Sequence, residues 1–510
     1  MNEKMNQALN EISDTYLNEA DQYQKRRFPW WIGAIAAVLA ILISVFAIPH
    51  GNVNPTQPDL GVPGTGTQPV VTGPVTPPTI GNTGWIDFSA LQGLPDLLAA
   101  PILPVLEPFP VLDDYGGDYN AYNEAHARWF YSQRQQFDQP ADYADSLTDF
   151  FRRSIKEFLS GEENGAYSPV NVYLAMAMLA ETTGGNSRQE ILGLFGVSDI
   201  EALRTQASYV WNAHYNNDGQ TTLLLGNSLW LDDACGFRQD TVDRLATDYY
   251  ASVFCGDLGS DASNQQLQTW LNTMTGGLLE ELSKGVELSK DAVFALASTV
   301  YFKAGWEDEF DTAKTVDAVF HAPNGPITTA FMNQRKEGIF YRGSNFGAVR
   351  LALTGDNSMW IILPDAGITV AEILAGEEYL TLTLDPRGWS DQTACILNVS
   401  LPKFDISSQG DLCEGMQNLG LHDIFDKTVS DFTPMVSNLD GAVYVGQMDH
   451  AVRVVIDEEG IAAAAYTVIG IDGDAAPPDL VIDFTADRPF AFLVSGQSNL
   501  PLFAGVVAQP

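Results

Sequence analysis

The sequence predicts an α+β fold, with helices packed around large, mostly antiparallel β-sheets, behind a long N-terminal region of different character. Three observations predict it. After about residue 141, helical spacing dominates at first and strand-like runs dominate the end, with both interleaved between. No stretch repeats at a fixed period, which argues against a solenoid or propeller. The first 140 residues change composition in steps, from polar to apolar, to Pro/Gly/Thr-rich, to proline-punctuated.

Residues 1–27 are polar and end on Lys25, Arg26 and Arg27. From Phe28 to Pro49 there is no charge. Roughly 20 apolar residues suffice to span a bilayer as a helix. Trp30 and Trp31 sit where an aromatic belt would sit, and the basic cluster lies on the N-terminal side. The run predicts a transmembrane signal anchor over 28–49, a cytoplasmic tail over 1–27, and an extracellular remainder of a single-pass cell-membrane protein. A cleaved signal peptide is the alternative, with "VFA" at Val45 to Ala47 as its cleavage site. The apolar run exceeds the usual h-region of roughly 7–15 residues, which favours the anchor. Residues 50–84 are rich in Pro, Gly and Thr and nearly free of charge, so they read as a semi-extended spacer. Residues 85–140 include "LQGLPDLLAAPILPVLEPFPVL", whose prolines forbid a long helix there. This stretch is expected to be an extension packed on the main domain, which covers 141–510.

Within that domain, "YADSLTDFFRRSIKEFL" sets Leu147, Phe150, Phe151, Phe158 and Leu159 at helical spacing. "NVYLAMAMLAETTGG" predicts a helix with almost no polar face, hence a buried one. "TTLLLGNSLWL", "ALASTVYFKAGW", "NSMWIILP", "QTACILNVSLPKF" and "AVRVVID" predict strands.

Composition excludes several functions. A formal net charge of -39, spread along the chain, repels phosphate backbones and argues against nucleic-acid binding. There is no Gly-x-Ser-x-Gly elbow, Walker-type loop or His-Glu-x-x-His. The six histidines show no helical metal-ligand spacing. No enzyme activity, cofactor or metal is therefore expected. Cys235, Cys255, Cys395 and Cys413 lack the paired spacing of a zinc site. A local 235–255 disulfide and four buried free thiols both remain open.

The most telling stretch is "IDEEGIAAAAYTVIG", Ile456 to Gly470. Its four alanines favour helix, yet β-branched and aromatic residues come immediately after them. Read as a strand, one face carries Ile461, Ala463, Ala465, Thr467, Ile469, Ile471 and Gly473, without a charge. The other carries Ala462, Ala464, Tyr466, Val468, Gly470, Asp472 and Asp474 and turns acidic at its end. That is a strand with a core side, written into a loop.

The domain resembles a serpin. "YSPVNVYLAMAMLAETTGGNSRQEI", "STVYFKAGWEDEF", "WIILPDAG", "LPKF", "HAVRVVIDEEGIAAAA", "DRPFAFLV" and the terminal "LFAGVVAQP" are similar to successive family segments, in order. The resemblance implies suicide inhibition of a serine or cysteine protease by a monomer. The protease cuts the reactive loop, and the loop then inserts into the main sheet. It also implies site roles. Glu458, Glu459 and Gly460, with Ile461, Ala462, Ala463, Ala464 and Ala465, match the hinge. Trp306 lies where the loop first enters the sheet. Ser168, Asn171, Ser298 and His450 match the polar cluster that controls sheet opening. Counting from Glu458 in the family register puts the cut between Asp474 and Ala475, while the core-facing alternation bounds the end of the inserted segment between Ile471 and Ala476 and leaves a cut after Ile471 as the alternative. The chain departs from the family pattern at Ser298, where Asn is usual, and at Ile461, where a small hydroxyl residue is usual. The alternative is a non-inhibitory serpin-fold binding or cell-surface protein.

Overall fold

The computed structural model describes residues 38–47, 91, 93–104, 106–133, 138–276, 286–437, 441–461 and 480–510. The chain divides into Met1–Ile35, which lies outside these residues, and Ala36–Pro510. The strands that matter here are β1 (Val38–Ala47), β2 (Leu97–Ala99), β3 (Gly165–Tyr167), β4 (Thr222–Asp232), β5 (Ala251–Gly256), β6 (Ala292–Gly305), β7 (Val316–Ala322), β8 (Gly325–Arg342), β9 (Phe346–Leu353), β10 (Asn357–Pro364), β11 (Gln392–Pro402), β12 (Phe404–Asp411), β13 (Tyr444–Ile456), β14 (Gly460–Ile461), β15 (Val481–Thr485), β16 (Phe490–Ser495) and β17 (Pro501–Val507). The helices are α1 (Tyr119–Ser132), α2 (Thr148–Phe158), α3 (Pro169–Thr182), α4 (Gly185–Leu194), α5 (Ile200–His214), α6 (Gln239–Asp248) and α7 (Asp261–Met274). The α+β arrangement expected from the sequence, helices around large and mostly antiparallel sheets, is the one observed.

Helix α3 organises the interior. Its start is set locally: Ser168 is the N-cap, its hydroxyl accepts from the Asn171 N–H, and Pro169 fills the first turn, where its missing donor costs nothing. Every residue of the helix is buried, as its lack of a polar face predicts. It lies between β6 of one sheet and β17 of the other. The main sheet runs β12-β13-β1-β6-β4-β5-β2, and the second runs β15-β11-β8-β9-β10-β16-β17-β3. The core-forming strands read as near-continuous apolar runs because both of their faces are covered; β6 is buried almost throughout. Helix α2 buries Phe150, Phe151 and Ile155 on one stripe, as its spacing predicts.

The extension is structural. Leu97–Ala99 pairs with β5 and covers that edge of the main sheet. Asp96 reinforces the seam: its carbonyl accepts from Cys255 N–H at 2.9 Å, and its carboxylate accepts from Gln266 Nε2 at 2.6 Å. Further on, α1 is tied down by Trp129, whose indole N–H donates to the buried Asp218 carboxylate at 2.9 Å. All four cysteines are free, so the open choice falls to the thiols. Burial pushes Cys235 up to about 12 and Cys255 up to about 11, which keeps both protonated and unreactive.

The N-terminal apolar run departs from expectation. The sequence predicts a bilayer-spanning helix over 28–49, but Val38–Ala47 is a strand of the main sheet, hydrogen-bonded between β13 and β6. No helix among the described residues is long and apolar enough to cross a membrane. The rest of 28–49 lies outside the described residues, as does the 50–84 spacer. The physical reason is that a run without charges satisfies a sheet interior as well as a bilayer, provided its backbone groups find partners.

Candidate functional site: the loop hinge and the sheet below it

Strand β13 delivers the chain to a tight turn at Asp457–Gly460. Asp457 and Gly460 exchange backbone hydrogen bonds, each at 3.3 Å, and the Asp457 carboxylate caps the Glu459 N–H at 3.0 Å. Gly460 sits at φ +128°, where an L side chain is strained, and an added Cβ would lie 2.6 Å from the Ala304 carbonyl and 2.8 Å from Trp306 N. Glycine is required twice over at this position. The chain then pairs antiparallel with the end of β6, Gly460 opposite Gly305 and Ile461 opposite Ala304. Ala462 to Ala465, and the expected cut at Asp474–Ala475, lie outside the described residues.

Trp306 packs beneath this turn, 3% exposed. Its indole N–H donates to the Asp457 carbonyl at 2.9 Å, its backbone N–H donates to the Glu459 carbonyl at 3.2 Å, and its ring meets Phe310 edge-on. Glu458 points inward at 9% exposure. It accepts from Lys403 Nζ and from the Thr315 hydroxyl, each at 2.7 Å. Burial opposes its ionisation most, but those two hydrogen bonds, its own backbone N–H and the Lys403 charge together hold its carboxyl below the usual glutamate range. Asp457 and Glu459 behave oppositely: burial, reinforced by neighbouring carboxylates, raises both. Lys403 and Thr315 are partners that sequence reasoning did not assign. Lys403 lies within the "LPKF" segment, which is the signal that could have pointed to it.

The second group lies lower in the same sheet, where α3 begins. The structure brings all four of its expected members together. Ser168 N–H donates to His450 Nε2 at 3.2 Å, and Ser168 Oγ donates to the Leu502 carbonyl at 2.7 Å. Asn171 Nδ2 donates to the Ser298 carbonyl at 3.2 Å, so the residue at 298 contributes its backbone. The Ser298 hydroxyl is buried without a hydrogen-bond partner among the described residues. Tyr167 stacks edge-on against His450 with ring centroids 5.4 Å apart. Leu502 and Tyr167 are the contributors that sequence reasoning missed, because they reach the cluster from β17 and β3.

Taken together, the upper group fixes the turn between β13 and β14, and the lower one joins β13, β6, α3 and β17 where the two sheets meet. In the lower group the Ser168 hydroxyl donates to the Leu502 carbonyl. Comparisons with known proteins bear on the family and the fold. The family described as Serpin (serine protease inhibitor) matches residues 145–510. Serpin-Z1C of Triticum aestivum is 28% identical over 367 residues, covering 69% of this chain and 91% of that protein. Among solved structures, the native state of tengpin, a thermophilic serpin, superposes with a TM-score of 0.62 at 22% identity, covering 72% of this chain and 93% of tengpin. Human thyroxine-binding globulin in complex with its hormone gives the same score at 19% identity, covering 72% of this chain and 98% of the globulin. At those identities the two structures speak for the fold alone.

Proposed function

The chain belongs to the serpin family, and from that premise we propose that it inhibits a serine or cysteine protease as a suicide substrate. The protease nucleophile attacks the carbonyl carbon of the scissile peptide bond, and the amine of the downstream peptide leaves. An acyl-enzyme results, with the protease esterified or thioesterified to the new loop end. The freed loop then adds to the main sheet as a strand and carries the enzyme with it.

The observation that carries this reading is the start of β14. The loop's first residues are already paired against β6. Continuing that register sets Ala463, Ala465, Thr467, Ile469 and Ile471 opposite Phe302, Val300, Ser298, Leu296 and Phe294, all buried positions. None of those loop residues bears a charge, so burial carries no ionic penalty. Ile461 is bulky but uncharged and already seated opposite Ala304, so it does not forbid insertion. The cut is proposed at Asp474–Ala475 on the family register. Pro477 and Pro478 block a strand beyond that point. Export is supported by the basic cluster Lys25–Arg27 before the apolar run, which orients the downstream chain outward.

Thyroxine-binding globulin shares the fold, so a binding role without inhibition is the second reading; the run Ile461–Ala465, which carries no charge, favours the first. A panel of serine and cysteine proteases, followed by a denaturing gel, separates them. The expected result is a covalent complex that survives SDS, with Ala475 at the start of the released peptide. Clean cleavage by every protease, with no such complex, removes the inhibitory reading.

A further inference from the structure

The position of β1 has a consequence for the loop. Strands β6 and β13 both run antiparallel to β1, so they are parallel to each other and β1 separates them along its whole length. Val38 pairs with Phe302, and each later residue to Phe46 pairs one step further along β6, reaching Phe294. On its other side, Leu42 pairs with His450 and Ser44 with Met448. The hinge strand β14 approaches the same edge of β6 in the same direction, and its last described residue, Ile461, pairs with Ala304. Val38, two positions on from Ala304 along β6, therefore stands where Ala463 would stand if the loop continued its register. Phe46 stands where Ile471 would. The two segments lie end to end in one slot, and β1 covers the nine positions that the core-facing pattern of the loop requires.

We propose that Val38–Ala47 is a tethered occupant of the loop-insertion slot, so that the seated segment and the inserted loop exclude each other. The proposal rests on the reading of the loop as an inserting strand. The segment suits the slot by its own chemistry: from Val38 to Ala47 it has no charge, no proline and no glycine, and it includes the β-branched Val38, Ile41, Ile43 and Val45. Its backbone gains partners on both sides, which a strand at a sheet edge does not. The chain between Ala47 and Leu91 is long enough to reach, since an extended residue spans roughly 3.3 Å. A tether of this kind gives the segment an effective concentration on the order of millimolar at its site. It therefore resists displacement by any free strand at lower concentration. A bilayer would use the same residues, so the occupied state is that of the chain outside a membrane.

The test uses the full chain in detergent-free buffer and a synthetic peptide of the loop sequence Ile461–Gly473. Two proteins are compared, the native chain and the double variant Ile41→Pro/Ile43→Pro. Proline at those positions removes two donors that face the same neighbouring strand and is not tolerated in a central strand, so it expels the segment, while the domain at 141–510 keeps its sequence. The native chain is expected to exclude the peptide, and its amides at 39–47 are expected to exchange at least a hundredfold more slowly than those of the spacer. The variant is expected to anneal the peptide, with a rise in its unfolding midpoint. Equal annealing by both proteins, or spacer-like exchange at 39–47 in the native chain, overturns the proposal. Neither readout depends on trapping a protease. A variant that anneals the peptide but forms no SDS-stable complex keeps the slot assignment and removes the inhibitory reading instead.

Discussion

At the hinge, Glu458 divides its carboxylate between the ammonium of Lys403 and the hydroxyl of Thr315, whereas below the sheet Ser168, Asn171, Ser298 and His450 meet without a carboxylate or a lysine among them. The two groups lie along the same slot and are built on opposite principles. The upper one is partly open to water, with the Lys403 side chain 40% exposed, so its ion pair is screened and modest in strength. The lower one is sealed, and its neutral hydrogen bonds cannot be exchanged for water without opening the sheet. The difference teaches that the clamp at the loop's base can be released by solution conditions, while the junction beneath it yields only to a change in the sheet itself.

The largest expected effect tests what the slot accepts. Ala465→Arg would place an unpaired charge opposite buried Val300, at a cost of several kcal/mol or more. The expected outcome is a protein that is cut as a substrate and traps nothing, read as the ratio of cleaved to complexed chain on a denaturing gel. Retained trapping would mean that the register read from β14 is wrong.

Next comes the sealed cluster. Ser168→Ala removes the cap of α3 and leaves the Leu502 carbonyl without its hydroxyl donor, together about 2 kcal/mol. Denaturant unfolding should show a lower midpoint with an unchanged slope.

The hinge clamp should be weaker and pH-dependent. Glu458→Gln is expected to cost about 1 kcal/mol after allowing for the exposure of Lys403. Because the folded Glu458 carboxyl titrates below its ordinary value of 4.5, its contribution is present above that value and is lost as pH falls through the lowered one. The gap in thermal midpoint between native chain and variant should therefore be full at neutral pH and close in acid below about 4.5. Asp457 and Glu459 are raised mainly by burial and to a smaller extent by the Glu458 charge, so the variant also lets both ionise more easily. A gap that widens on acidification would refute the clamp.

The smallest effect sharpens the lower group. Ser298 enters it through its carbonyl, and its hydroxyl is buried with nothing to bond among the described residues. Ser298→Ala should leave stability within about 0.5 kcal/mol or raise it slightly. A loss as large as that of Ser168→Ala would show that the hydroxyl has a partner after all.

Much of this molecule is local and was legible as such. The stripe of α2, the all-apolar α3 with Ser168 and Pro169 at its start, the strands and the glycine of the hinge are all written in short-range periods and turn chemistry. The alternation from Ile461 to Ile471 is written the same way in the sequence, but beyond Ile461 it lies outside the described residues. What tertiary structure decided is partnership across the chain. Glu458 and Lys403 are 55 residues apart, and Ser168 and His450 are 282 apart. No local pattern carries the distance between two such side chains. The free state of Cys235 and Cys255 was open for the same reason, since spacing cannot say whether two sulfurs meet. The run from Val38 to Ala47 shows the limit most plainly. Its composition by itself determines that it must leave water. Whether it does so in a bilayer or between two strands depends on which unpaired backbone groups lie within reach, and β6 and β13 supply them along ten residues.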